Sequence, residues 1–261
     1  MSRGLDHSTA YARIRRRAAT SARAKAVHAQ LFTLRYLREL IRPRPTYAQA
    51  GEDLAVERLL GSVRSFVDIG AHDGITYSNT FLFALRGARG VCFEPIPTNF
   101  ARLRALHRLT RRVECRNYGI SDASRAGSMV AAHGLSYLPE TLDEEHLRAH
   151  PELTPGSAPE RVELRTFADS MHGLGLPNPV DLLSVDVEGH ELPVLRSVAD
   201  TGVLFRAVIV ETHLDDQSTD ERLWTHHDLG AIEDLLAALG YEPAETTFVN
   251  TVYVQRALST V

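Results

Sequence analysis

Between residues 46 and 261, short apolar runs alternate with segments of helical period. The runs SFVDIG (65–70), GVCFEP (90–95), RVECRNYGI (112–120), VDLLSVDVEG (180–189) and AVIVETH (207–213) read as buried strands, because each is a block of branched and aromatic residues closed by Gly, Pro or charge. TYSNTFLFALRG, TNFARLRALHRL, HELPVLRSVAD and LGAIEDLLAALG read as the helices between and after them. Pro97 with Thr98 or Asn99 marks one helix start, and Gly87 and Gly240 mark two ends. This alternation predicts an α/β fold, a mostly parallel sheet with helices on both faces. The final YEPAETTFVNTVYVQR holds two strand-like runs with no helix between them, which brings the count to seven strands and makes the C-terminal edge antiparallel. Residues 123–160, rich in Gly, Pro and acids, break the rhythm and read as an insertion or lid with one short helix.

Charge divides the chain at about residue 45. Residues 1–45 hold eleven Arg and Lys against Asp6 and Glu39, which is +9; since the whole chain is −4, the remainder carries −13. Leu31, Leu34, Leu37, Leu40 and Ile41 recur at helical spacing in this arm. It reads as a tail followed by a helix that packs on the domain of residues 46–261, and its charge also suits weak contact with an anionic membrane surface. No run approaches the roughly 18–20 apolar residues of a membrane span. Two cysteines, Cys92 and Cys115, both in strand-like surroundings, argue for reduced thiols and a cytoplasmic setting rather than a disulfide framework.

In an open parallel sheet, ligands bind beyond the carboxyl ends of the strands. Asp68 follows the first strand, with Gly70, His72, Asp73 and Gly74; Glu94 ends the second; Ser121 and Asp122 follow the third. Asp186, Glu188 and His190 follow the fourth, and Glu211 and His213 end the fifth. Five strands thus each deliver an acid to one rim. A dinucleotide loop needs G-x-G-x-x-G so that backbone N–H groups can approach a pyrophosphate. Here His72 replaces the middle glycine, and Asp68 and Asp73 would repel phosphate. A ligand with an ammonium and a sulfonium suits this rim better, with Glu94 accepting ribose hydroxyls and Asp122 an adenine amino group. That is the chemistry of S-adenosylmethionine.

The segments YAQAGEDLAVERLL, FVDIGAHDGITYSNT, GVCFEPIP and DLLSVDVEGHELPVLRSV followed by AVIVETH resemble the FkbM-type methyltransferases, a family of class I, Rossmann-like enzymes that use S-adenosylmethionine. Many members methylate hydroxyls of sugars and secondary metabolites. The resemblance starts near Tyr47, skips 1–45 and is weak through 123–160. It implies that Asp68, Gly70, His72 and Gly74 surround the methionine part of the cofactor, that Glu94 holds the ribose, and that Ser121 and Asp122 take the adenine side. Gln49, Glu52 and Asp53 would fold over the cofactor.

A hydroxyl acceptor also needs its proton removed. Asp186, Glu188 and His190 are the catalytic candidates, and two arrangements fit. Either His190 takes the proton directly, or Asp186 and Glu211 with His213 hold Mg²⁺ or Mn²⁺, which lowers the pKa of the acceptor. His226 and His227 follow Trp224 near the expected acceptor entrance. The expected reaction is O-methylation of a small acceptor, a sugar or natural product. Alternatives are N- or C-methylation, a nicotinamide-linked oxidoreductase, or a non-catalytic cofactor-binding partner. No nucleic-acid partner is expected, and a homo-oligomer is compatible with the sequence.

Overall fold

The computed structural model describes residues 34–108, 110, 112–132, 135–138, 159–212 and 228–258. It divides into two units, residues 1–45 and 46–261. In the first, residues 34–41 form a helix. The second is built on a seven-stranded sheet.

The strands of that sheet are β1 (Ser65–Ile69), β2 (Arg89–Phe93), β3 (Val113–Arg116), β8 (Val180–Val185), β9 (Phe205–Glu211), β10 (Tyr241–Thr246) and β11 (Asn250–Gln255). Their order is β10-β11-β9-β8-β1-β2-β3. The five from β3 to β9 are mutually parallel, and β11 runs antiparallel to both β9 and β10. Every residue of β1, β8 and β11 is buried, which is why these runs lack the polar alternation of a half-exposed strand.

The helices are α1 (Glu52–Leu60), α2 (Phe81–Leu85), α3 (Pro97–His107), α4 (Phe167–Met171), α5 (Glu191–Ala199) and α6 (Leu229–Ala238). From β1 the chain steps outward through β2 to β3; from β8 it steps the other way to β9. Right-handed crossovers in opposite directions put α2 and α3 on one face and α5 on the other. The reversal between β1 and β8 opens a crevice at their carboxyl ends. Val67, Ile69, Phe93, Leu183, Val185, Val194 and Val208 belong to the largest apolar core cluster.

Three sequence expectations are revised. The helix read from Thr76 is only Phe81–Leu85 long. Both Asp73 oxygens are held by Ile75 and Thr76, Tyr77 has φ 54°, and the Ser78 hydroxyl accepts from the N–H groups of Thr80 and Phe81, so helical geometry is delayed by a turn. The run 112–120 is divided: after β3 the chain turns into β4 (Gly119–Ile120), which belongs to another sheet. That sheet, ordered β4-β7-β5-β6, includes β5 (Arg125–Ala132) and β6 (Leu135–Tyr137), so the described part of the supposed lid is strand; β7 (Glu160–Arg165) completes it. The short helix expected within 123–160 falls on none of the described residues. Ile96, Met129, Leu138, Val162 and Leu164 form a separate small core beneath this sheet.

Candidate active site

The loop after β1 is shaped by packing. Gly70 has φ 92°, and a Cβ there would stand 1.7 Å from the carbonyl oxygen of Asp186. Gly74 has φ 81°, and its Cβ would meet Leu103 and Leu106 of α3 at 2.8 and 2.6 Å. Both positions therefore require glycine for conformation and for close approach to the protein itself. His72 also lies in the left-handed region (φ 49°), with Nδ1 3.8 Å from Asp73 Oδ1. Asp73, read from sequence as facing a cation, is instead buried within its own turn.

Asp68 and Glu94 lie on neighbouring strands at the carboxyl end. Asp68 Oδ2 accepts from the Thr80 hydroxyl at 2.6 Å, while burial pushes its carboxyl up to about 6. Glu94 Oε1 accepts from the Ile96 N–H at 2.7 Å. Burial raises Glu94 to about 8 despite the lowering effect of hydrogen bonds from the N–H groups of Ile96 and His72 and from the Asn99 side chain. Thr80 was absent from the sequence reading, and Asn99 was read only as a helix-start residue, not as a partner of Glu94.

Beyond β8 the acids crowd. Glu191, fully buried in the first turn of α5, accepts from the N–H groups of Val187 (2.9 Å) and Gly189 (3.1 Å) and thereby closes the Asp186–His190 turn. Glu188 has φ 55° and donates its backbone N–H to the Glu211 carboxylate. Burial, followed by the charges of Glu191, Asp68 and Glu52, pushes Asp186 up to about 7. Burial, then the charges of Asp186 and Glu191, holds Glu188 well above the usual carboxylate range. Glu211 is held well above it as well, by burial and then by Glu188, Asp186 and Glu191. Its Oε2 is buried with no hydrogen-bond partner among the described residues. Asp68, Asp186, Glu188, Glu191 and Glu211 therefore form one electrostatically linked group around the crevice.

His190 stands at the N-cap of α5, only 8% exposed. Its Nε2 lies 2.9 Å from the Ser121 hydroxyl, whose oxygen is 3.0 Å from Asp122 Oδ1. Ser121 is fully buried and Asp122 is exposed. This chain joins two residues read as an adenine contact to one read as a base.

Two residues read as folding over the cofactor have structural partners. Glu52 Oε2 accepts from the Ala50 N–H, and its Oε1 from Thr247 and Asn250, which pins α1 to the β10–β11 hairpin. Asp53 accepts from the Thr46 hydroxyl and the Tyr47 N–H. Both carboxylates thus hold local structure together, and the Glu52 charge also reaches Asp186. Among the described residues no group of three or more His, Cys, Asp and Glu side chains has metal-holding geometry. The third ligand of the metal arrangement, His213, lies outside the described residues, as do Trp224, His226 and His227. Cys92 and Cys115 are both free.

A doubly wound sheet of this strand order, with its acids gathered at the switch point, is the class I methyltransferase fold. The chain belongs to the family described as the methyltransferase FkbM domain, whose profile matches residues 68–243. The matched domain is accordingly a methyltransferase domain of the S-adenosylmethionine-dependent kind. Among solved structures, methyltransferase FkbM from Methylobacillus flagellatus is similar at 13% identity and TM-score 0.44 over 74% of this chain and 43% of that one. A putative O-methyltransferase from Klebsiella pneumoniae is similar at 14% and 0.44 over 86% of this chain and 89% of that one. The N-terminal domain of human METTL16 is similar at 11% and 0.41 over 78% and 68%. The chain thus spans less than half the length of the first of these structures. No curated protein sequence matches the chain.

Proposed function

We propose that this chain methylates a hydroxyl of a sugar or secondary metabolite, with Asp186 and His190 as the groups that receive the hydroxyl proton. The observation that carries the reading is Asp186. It ends β8 beside the Gly70 turn, with a carboxyl pushed to about 7. A base that titrates near the working pH combines availability with proton affinity.

S-adenosylmethionine, when bound, supplies an activated methyl group on a sulfonium. The rim fits such a cation, because neighbouring buried carboxyls that raise one another's pKa are stabilised in their charged form by a positive charge. In this reading Asp68 faces the methionine part, where Gly70, His72 and Gly74 shape the loop. Glu94 accepts from the ribose, and Ser121 with Asp122 flanks the adenine. Burial and the neighbouring acids raise Glu188 and Glu211 too, which favours their protonated forms and suits hydrogen-bond donation to the acceptor oxygen. The single Ser121 proton is directed to Asp122, so His190 Nε2–H donates to Ser121 and the lone pair falls on Nδ1.

The test is a transfer assay with a labelled methyl donor offered to glycosylated natural products, polyols and amines. Methyl ethers are the expected products. Label recovered only on nitrogen or carbon would overturn hydroxyl methylation, and loss of transfer in Asp186→Asn with intact cofactor binding would support the proton role.

A further inference from the structure

We propose that the basic N-terminal unit docks this protein on an anionic lipid surface through the helix 34–41. With 3.6 residues per turn, the helix divides into three stripes. Leu34, Leu37 and Ile41 form one, with Leu40 beside it. Arg35, Arg38 and Arg42 form the second, and Tyr36 and Glu39 the third. The third stripe is buried: Tyr36 is 4% and Glu39 5% exposed. The apolar stripe is the open one, with Leu34 at 61%, Leu37 at 43%, Leu40 at 42% and Ile41 at 77%. The leucines share a face, as their spacing predicts, and that face is the exposed one.

Charge identifies the occupant. Glu39 is the only acid between residues 34 and 45, and it is both buried and paired with Arg44 at 3.2 Å. The surface that remains is leucine, isoleucine and arginine. A helix with apolar side chains on one stripe and arginine on the next lies in a bilayer interface, its apolar side chains among the acyl chains and its guanidinium groups among anionic headgroups. A nucleic acid would use the arginines and leave the apolar stripe in water, so the stripe favours lipid. The arm is +9 and the rest of the chain −13, so an anionic surface attracts the arm and repels the rest. Among the described residues no helix is long and apolar enough to cross a membrane. The contact is therefore peripheral, and the acceptor chemistry proposed above does not enter the argument.

The experiment is flotation of the full chain with vesicles of phosphatidylcholine alone and of phosphatidylcholine with phosphatidylglycerol in equal parts. Wild type is expected to float with the anionic vesicles and to stay down with the neutral ones. Rising salt should weaken flotation. Leu37→Glu/Ile41→Glu should lower the floated fraction at least tenfold, with thermal melting and S-adenosylhomocysteine binding unchanged. Arg38→Gln/Arg42→Gln, which leaves the apolar stripe intact, should lower it severalfold and flatten the salt dependence. Three outcomes overturn the proposal: no flotation of wild type, flotation of Leu37→Glu/Ile41→Glu equal to wild type, or a concentration-dependent dimer that this variant abolishes without any flotation. Binding to duplex DNA that persists in the leucine variant, with no competition from vesicles, assigns the arm to nucleic acid and overturns it as well.

Discussion

The carbonyl oxygen of Asp186 occupies the space where a Cβ of Gly70 would stand, 1.7 Å away. The turn after β1 and the turn after β8 thus pack backbone to backbone across the switch point. Gly70→Ala adds a methyl group against that carbonyl at φ 92° and is expected to destabilise the domain by about 2–4 kcal/mol. A drop in melting temperature with loss of S-adenosylhomocysteine binding in calorimetry is the expected result. Normal melting would mean that the two turns are free to separate.

Asp68 makes stability depend on pH. Its carboxyl titrates at about 6 in the folded chain against an ordinary value of 3.8. The folded state therefore holds this proton more tightly than the unfolded state does. The stability linked to that proton is complete below about 4 and lost as pH rises through about 6, on the order of 3 kcal/mol. Asp68→Asn keeps an acceptor for Thr80 and removes this dependence. Relative to wild type, its melting temperature should rise between about pH 4 and pH 7, while its affinity for S-adenosylhomocysteine falls. A constant difference across that range would contradict the assignment.

Glu94→Gln preserves an oxygen for the Ile96 N–H and removes the carboxylate. Folding should survive, and affinity for S-adenosylhomocysteine measured above about pH 8, where the Glu94 carboxyl is ionised, should fall about tenfold or more, as for loss of a charged hydrogen-bond acceptor. Unchanged affinity in calorimetry would remove Glu94 from the ribose position.

Glu52→Gln should do the opposite. Its carboxylate binds Ala50, Thr247 and Asn250, so the loss is structural, about 1.5–3 kcal/mol. Denaturant melts should shift, with cofactor affinity per folded molecule unchanged.

Ser121→Ala removes the partner of His190 Nε2. Turnover should fall with little change in melting, and Ser121→Thr should restore part of it. Nitrogen NMR of the imidazole gives an independent check: protonated Nε2 is expected in wild type and a mixture of tautomers in Ser121→Ala. Protonated Nδ1 in wild type would reverse the proposed roles of the two ring atoms.

The sheet was legible because its strands are buried on both faces, and such strands declare themselves as continuous apolar runs. VDLLSV and AVIVE are found where they were read, and the helix-free end of the chain did form the antiparallel edge. The second sheet was not legible. RAGSMVAA is mostly small residues and ERVELR mostly charged ones, so neither shows a run of large apolar side chains, and their small core depends on Ile96 from a distant segment. At the rim, sequence order alone identified which acids share an edge. It did not show which were already occupied, because that depends on partners far along the chain: Asn250 is 198 residues from the Glu52 it binds. Glu191 was missed because an acid in the first turn of a helix is common, and only the fold shows it gathering the N–H groups of Val187 and Gly189.

The position of β11 has a consequence for biosynthesis. β9, a strand with six of its seven residues buried, has β8 on one side and β11 on the other. β11 follows the other described strands of this sheet in sequence, yet it lies inside the sheet. Until Asn250–Gln255 emerge from the ribosome, β9 is an open apolar edge and β10 has no neighbour. The nascent domain therefore carries an apolar strand edge open to wrong pairings until that single strand is inserted.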